Sequence, residues 1–145
     1  NEAFRYFQFD GQTCMLEDYL DIRPENRERL AKLISEGRIL IGPWYTMPDL
    51  FCPDGESLIR NLLLGQNISR KWGVSPMPVG FICDMFGHPS QIPQIFAGFG
   101  ISDIVMGRGT NESTTDMFFD WISQKHQWLD LDTQPDFFQV PNSWC

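Results

Sequence analysis

Apolar and polar positions along the 145 residues alternate between two rhythms. Dense apolar runs lie at 4–9 (Phe4, Tyr6, Phe7, Phe9), 38–42 (Ile39, Leu40, Ile41), 79–83 (Val79, Phe81, Ile82) and 103–106 (Ile104, Val105, Met106). Each is too short for a helix and is bounded by Gly, Pro or Asp, which predicts a strand. Between these runs apolar residues recur every three or four positions. Leu30, Leu33 and Ile34 predict a helix opened by Pro24, running to about Glu36 and stopped by Gly37. Leu58, Ile59, Leu62, Leu63 and Ile68 predict a second, from an Asp54 N-cap to about Trp72. Ile92, Ile95 and Phe96 predict a third that begins at Ser90 and ends at Gly98 or Gly100.

Strand and helix therefore alternate, which implies an α/β protein of right-handed βαβ units and parallel strands. No internal repeat or low-complexity segment interrupts the alternation. Side chains that follow parallel strands gather at one end of a sheet. On that reasoning Asp10, the loop 44–49, Asp84 and Arg108 are expected to share a rim, although they are far apart in sequence.

Asp84 follows the run Val79 to Cys83 directly, where a buried strand opens into solvent and α/β enzymes keep their chemistry. The other reading is an Asp that caps the next helix, a role for which Ser90 competes. Arg108 follows the fourth predicted strand. Beside Asp84 it would favour the ionised carboxylate that a nucleophile or metal ligand requires; otherwise it is a solvated loop residue.

Composition narrows the partners. Apolar residues make up 42% and aromatics 14%, as in a globular chain. A formal net charge of −8 argues against nucleic acid or an anionic membrane and tolerates a neutral, hydroxyl-rich ligand such as a sugar. Cys14, Cys52, Cys83 and Cys145 are scattered, with no C-x-x-C pair, which favours a reduced, cytoplasmic setting. No signal peptide or bilayer-length apolar stretch is present in these residues. Of two N-x-S sequons, at Asn67 and Asn111, the first falls inside a predicted helix and is read as chance.

Five blocks in order carry a resemblance to a known family. They are Phe9-Asp10-Gly11-Gln12 with Glu17-Asp18-Tyr19-Leu20; Gly37 to Tyr45 followed by Asp49; Gly55 to Leu62; Asp84-Met85-Phe86-Gly87-His88; and Gln91 to Ile95 with Gly98-Phe99-Gly100 and Arg108. Together they resemble the N-terminal catalytic domain of glycoside hydrolase family 38, the α-mannosidases, in its bacterial-type form. The resemblance implies a piece of an irregular β/α barrel over residues 1–122, with 123–145 a divergent tail. It implies that Asp84 is at once metal ligand and nucleophile, that Arg108 orients it, and that Phe86 lines the sugar subsite. Trp44 and Asp49 are expected on the substrate rim. His88 is tempting as a metal ligand but is read as a structural loop residue. The implied cofactor is zinc or another divalent cation. The implied partner is an α-mannoside or mannose-containing oligosaccharide, with homo-oligomerisation of the full-length enzyme left open.

Such an enzyme retains configuration: one carboxylate attacks the anomeric carbon and a second protonates the leaving oxygen. By resemblance, a His-x-Asp metal pair precedes this stretch, and the general acid and another metal-binding His follow it. These 145 residues are therefore expected to be an internal fragment, inactive and metal-free in isolation. His126, Asp130, Asp132 and Asp136 imitate a metal cluster but read as a solvated acidic loop. Two other classes compete: a metal-dependent carbohydrate deacetylase, which forms no covalent intermediate, and a non-catalytic sugar-binding domain.

Overall fold

In the computed structural model, which describes residues 5–109, helices and parallel strands alternate as the sequence predicts. The chain divides into two units, Asn1–Met47 with Gly55–Met77 and Pro48–Asp54 with Pro78–Cys145.

The first unit pairs β1 (Phe7–Gln8) in parallel with β2 (Ile39–Leu40), placing Phe7 opposite Ile39 and Gln8 opposite Leu40. Between them run α1 (Cys14–Ile22), one 3-10 turn (Pro24–Asn26) and α2 (Arg27–Ser35). The apolar run 38–42 yields only a two-residue ladder, because the Ile41 carbonyl accepts the Met77 N–H instead (2.9 Å). Gly37 ends α2 as predicted. It adopts φ +67°, and the Arg38 N–H closes back on the Leu33 carbonyl at 2.9 Å.

Helix α1 is the element that periodicity does not announce. Leu16 is its one buried residue, and Thr13 makes no side-chain cap. Its start is fixed instead by a distant loop. The N–H groups of Thr13 and Cys14 both donate to the Tyr45 carbonyl (3.1 and 2.8 Å), and Thr13 Oγ1 donates to the Trp44 carbonyl (3.3 Å). A helix whose orphan donors are satisfied by tertiary contacts needs no local capping signal.

Leu16, Leu30, Ile34, Ile41 and Ile68 form the core of this unit, with Phe9, Leu20, Ile39, Tyr45, Trp72 and Val74 packed around them. Helix α3 (Gly55–Lys71) buries Leu58, Leu62, Gly65 and Ile68, whereas Ile59 and Leu63 are exposed. At 100° per residue those two lie on the flank of the Leu58–Leu62 line. Trp44, expected on a substrate rim, is instead fully buried (0% exposed), so its ring serves packing.

Beside Trp44, α3 approaches the chain closely. A Cβ on Gly65 would collide with the carbonyl of Pro43 and the carbonyl group of Trp44. In an open helix Gly→Ala stabilises by about 1 kcal/mol. Here backbone blocks the new methyl group, and overpacking of that kind costs about 1–3 kcal/mol or more. Gly65→Ala in the full-length protein should therefore lower its denaturant midpoint; a raised midpoint would contradict the close approach.

In the second unit β3 (Val79–Ile82) and β4 (Asp103–Met106) pair in parallel, with α4 (Ile92–Gly98) between them in sequence. Ile82, Met85, Ile92, Phe96, Ile101, Ile104 and Met106 are buried. Helix α4 starts at Ile92, two residues later than Ser90. Gln91 occupies the N-cap position without a side-chain bond, Pro93 stands in the first turn, and Ile92 N–H donates to the Pro89 carbonyl (3.1 Å). Gly100, at φ +71°, closes the other end as Ile101 N–H returns to the Phe96 carbonyl (3.0 Å). No helix among the described residues is long and apolar enough to cross a membrane. The divergent stretch 123–145, with His126, Asp130, Asp132 and Asp136, lies outside the described residues, as does the Asn111 sequon.

Candidate active site

Strand register brings Asp84 and Arg108 together. Ile82 and Met106 are the last paired residues of β3 and β4, directly opposite one another. Asp84 lies two positions beyond Ile82, and Arg108 two beyond Met106. Neighbouring strands stand about 4.8 Å apart, so both side chains emerge at one level of adjacent strand ends. Arg108 Nε meets Asp84 Oδ1 at 2.5 Å. Both side chains are 63% exposed. At such exposure an ion pair adds at most about 1 kcal/mol to stability. Its consequence is to orient the carboxylate. Neither Asp84 nor Ser90 caps α4, so the competing helix-cap reading of Asp84 falls away.

The Arg108 backbone is held from the β3 side. A Cβ on Gly107 would strike the Cys83 carbonyl, so only glycine lets the strand ends come this close. Gly109, at φ +87°, turns the chain beneath the His88 ring; a Cβ there would strike Nε2 and Cδ2. His88 Nε2 lies 2.6 Å from the Arg108 carbonyl. A carbonyl only accepts, so Nε2 carries the proton. His88 thus ties down the arginine loop, in keeping with a structural role.

Burial pushes the His88 pKa below its ordinary 6.5, and the bond to the Arg108 carbonyl opposes that shift only in part. A histidine whose pKa is depressed by folding contributes stability that is complete above the unfolded value, near 6.5. That stability is lost as pH falls from there toward the folded value. The full-length protein should therefore lose more thermal stability between pH 8 and pH 5.5 than its His88→Gln variant. Equal losses would contradict the assigned burial.

Other candidates sort by unit. Phe86, two residues past Asp84, is 77% exposed and free to present its ring to a ligand. Asp49 caps its own turn: Oδ1 accepts the Phe51 N–H (3.4 Å), and its carbonyl accepts the Cys52 N–H (3.0 Å). The same turn delivers Phe51, an exposed aromatic whose ring would be struck by a Cβ on Gly87. Asp49 and Phe51 thus stand on the segment packed against the Asp84 loop. Nothing in the apolar pattern singles out Phe51, because its loop has no periodicity. Asp10 and Trp44 belong to the first unit, where Asp10 adopts φ +51° in the turn after β1.

Among the described residues no three His, Cys, Asp or Glu side chains converge as a metal-binding group. Asp84 alone falls short of the three or so protein ligands a catalytic zinc requires. The described residues do not by themselves make that site.

Comparison with known proteins agrees with the motif blocks. Residues 1–142 match the model of the glycosyl hydrolases family 38 N-terminal domain. A Halalkalibacterium halodurans protein named "Putative mannosylglycerate hydrolase" is 46% identical over 106 residues, covering 73% of this chain and 12% of that protein. Alpha-mannosidase G of Dictyostelium discoideum is 33% identical over 84 residues, 57% of this chain and 8% of that protein. The chain thus spans a small part of the length of these relatives. The crystal structure of an alpha-mannosidase from Enterococcus faecalis superimposes with a TM-score of 0.81 at 32% identity, over 97% of this chain and 16% of that one. A second Enterococcus faecalis family 38 structure gives 0.74 at 29% identity, over 96% and 14%. A match along nearly the whole chain, together with solved relatives of the same fold, establishes that this chain belongs to glycosyl hydrolase family 38.

Proposed function

We propose that the chain is part of the catalytic domain of a retaining α-mannosidase, in which Asp84 is the nucleophile and Arg108 holds it. The observation that carries this reading is the Asp84–Arg108 pair on the ends of two adjacent parallel strands. A retaining glycosidase needs an ionised carboxylate held at the anomeric carbon of its substrate. Arg108, engaging Oδ1, sets the direction of the Asp84 carboxylate and leaves Oδ2 to attack. Attack forms an ester bond from Asp84 to the anomeric carbon as the glycosidic bond breaks. The leaving oxygen takes its proton from a second carboxyl group, a role assigned to no described residue, and water then cleaves the ester. Before bonding, the carboxylate stabilises the positive charge that develops on the sugar ring.

Phe86 supplies an exposed aromatic face for the sugar beside Asp84, and Asp49 is the polar candidate on the neighbouring segment. Trp44, being buried, drops out of the substrate rim. A divalent cation, zinc by family resemblance, would take Asp84 as one ligand and polarise substrate hydroxyls; its other ligands are not among the described residues. The parallel strand pairs and intervening helices support a place in an irregular β/α barrel. Scattered cysteines support a cytoplasmic setting.

Within this reading the relative's name points to one substrate, mannosylglycerate, alongside mannose-containing oligosaccharides. The test is hydrolysis of an aryl α-mannoside and of mannosylglycerate by the full-length protein, with label from a slow mannosyl substrate recovered on Asp84. Deacetylation without glycoside cleavage, or sugar binding without turnover, would replace the proposal.

A further inference from the structure

We infer that His88 is a positioning residue for the Asp84 carboxylate, acting through the backbone of Arg108. The inference rests on the proposed glycosidase reading and extends it to a residue that touches no substrate. Arg108 stands between Gly107 and Gly109, the two most permissive neighbours a backbone can have. Nothing intrinsic to this tripeptide fixes the direction in which the arginine side chain leaves the chain. Gly107 is pressed against the Cys83 carbonyl, which anchors one side of the tripeptide. On the other side, the His88 Nε2–H donates to the Arg108 carbonyl at 2.6 Å, and its ring covers Gly109. The peptide plane after Arg108 is thereby oriented, and with it the Cα–Cβ direction that carries Nε to Asp84 Oδ1.

Asp84 and His88 lie four residues apart on one loop, so that loop grips Arg108 twice. The carboxylate takes the side chain and the imidazole takes the main chain. Without the second grip, an arginine that is 63% exposed and flanked by glycines would spread over many rotamers. The carboxylate would then spend less of its time aimed for attack. The burial that depresses the His88 pKa favours the neutral imidazole, whose single N–H is the one donated.

The experiment is a double-mutant cycle in the full-length enzyme, with an aryl α-mannoside as substrate. It compares His88→Ala, Arg108→Ala and the double variant, with His88→Gln as rescue. His88→Ala should lower kcat about tenfold, the size expected for one lost hydrogen bond, with KM changed less than about twofold. His88→Gln, whose amide N–H can donate to the same carbonyl, should recover most of the loss. His88→Ala added to Arg108→Ala should cost nothing further, because the path it acts through is already gone. Additive losses, wild-type turnover in His88→Ala, or a Gln variant as slow as Ala would each overturn the inference. If His88→Ala does not fold, His88→Met against His88→Gln poses the same question with size held closer: a slower Met variant supports the inference and equal rates overturn it. Asp84→Ala separates the two levels. Its inactivity beside a wild-type His88→Ala sinks only this inference, and wild-type turnover in Asp84→Ala sinks the glycosidase assignment itself.

Discussion

Replacing Asp84 by Ala in the full-length protein is expected to lower α-mannoside turnover by about 10⁴-fold or more, the loss typical when a covalent nucleophile is removed. Two effects combine. The attacking oxygen is gone, so the two-step route through a glycosyl ester closes, and the negative charge that stabilises the oxocarbenium-like transition state goes with it. Fold stability should change little, because the Asp84 side chain is 63% exposed and its exposed ion pair adds little. A folded Asp84→Ala protein without activity is therefore the expected pattern. Asp84→Asn should be nearly as slow, since an amide of the same shape neither attacks nor carries charge. Turnover at the wild-type rate in either variant would sink the assignment.

Arg108→Lys should slow turnover about 100-fold, within the range seen when one positioned charged donor is lost. Arg108 meets Asp84 through Nε, a donor fixed in the plane of the guanidinium. Lysine keeps the charge but puts it at the end of a flexible stem, without that directional donor. The loss should fall in kcat more than in KM, measured with the same aryl α-mannoside. If Lys worked as well as Arg, charge and not orientation would be the contribution of Arg108. The proposal for His88 would fall with that result, because no direction would need to be held.

Much of the fold was legible in apolar spacing, and the failures share a cause. Helices α2, α3 and α4 follow their stripes because each buries residues three and four apart, such as Leu30 with Ile34 and Leu58 with Leu62. Helix α1 escaped because its first N–H groups bond the Tyr45 carbonyl, about thirty residues away, and the sequence around Thr13 shows no trace of that. Trp44, expected on the substrate rim by resemblance, is buried for a similar reason: Gly65 opens a place on α3 where its loop packs down.

The candidate site divides along the same line. Asp84 was legible as a candidate because an acid that follows a buried strand stands at a rigid strand end, and the motif around it supplied the role proposed for it. Arg108 was legible in kind, as a cation after the next strand. That the two meet depends on the register, Ile82 against Met106, which is set by hydrogen bonds between segments more than twenty residues apart. The approach of Phe51 to Gly87 likewise exists only through packing.

By itself, then, the sequence determined the α/β alternation and the family, and it singled out Asp84 and Arg108 as the candidate acid and cation, because these are written in local spacing and in motif. Tertiary structure decided the contact between them, the burial of Trp44 and the grip of His88 on the Arg108 backbone. Those depend on which distant segments are pressed together, and a permissive Gly-Arg-Gly tripeptide takes its direction only from what it is pressed against.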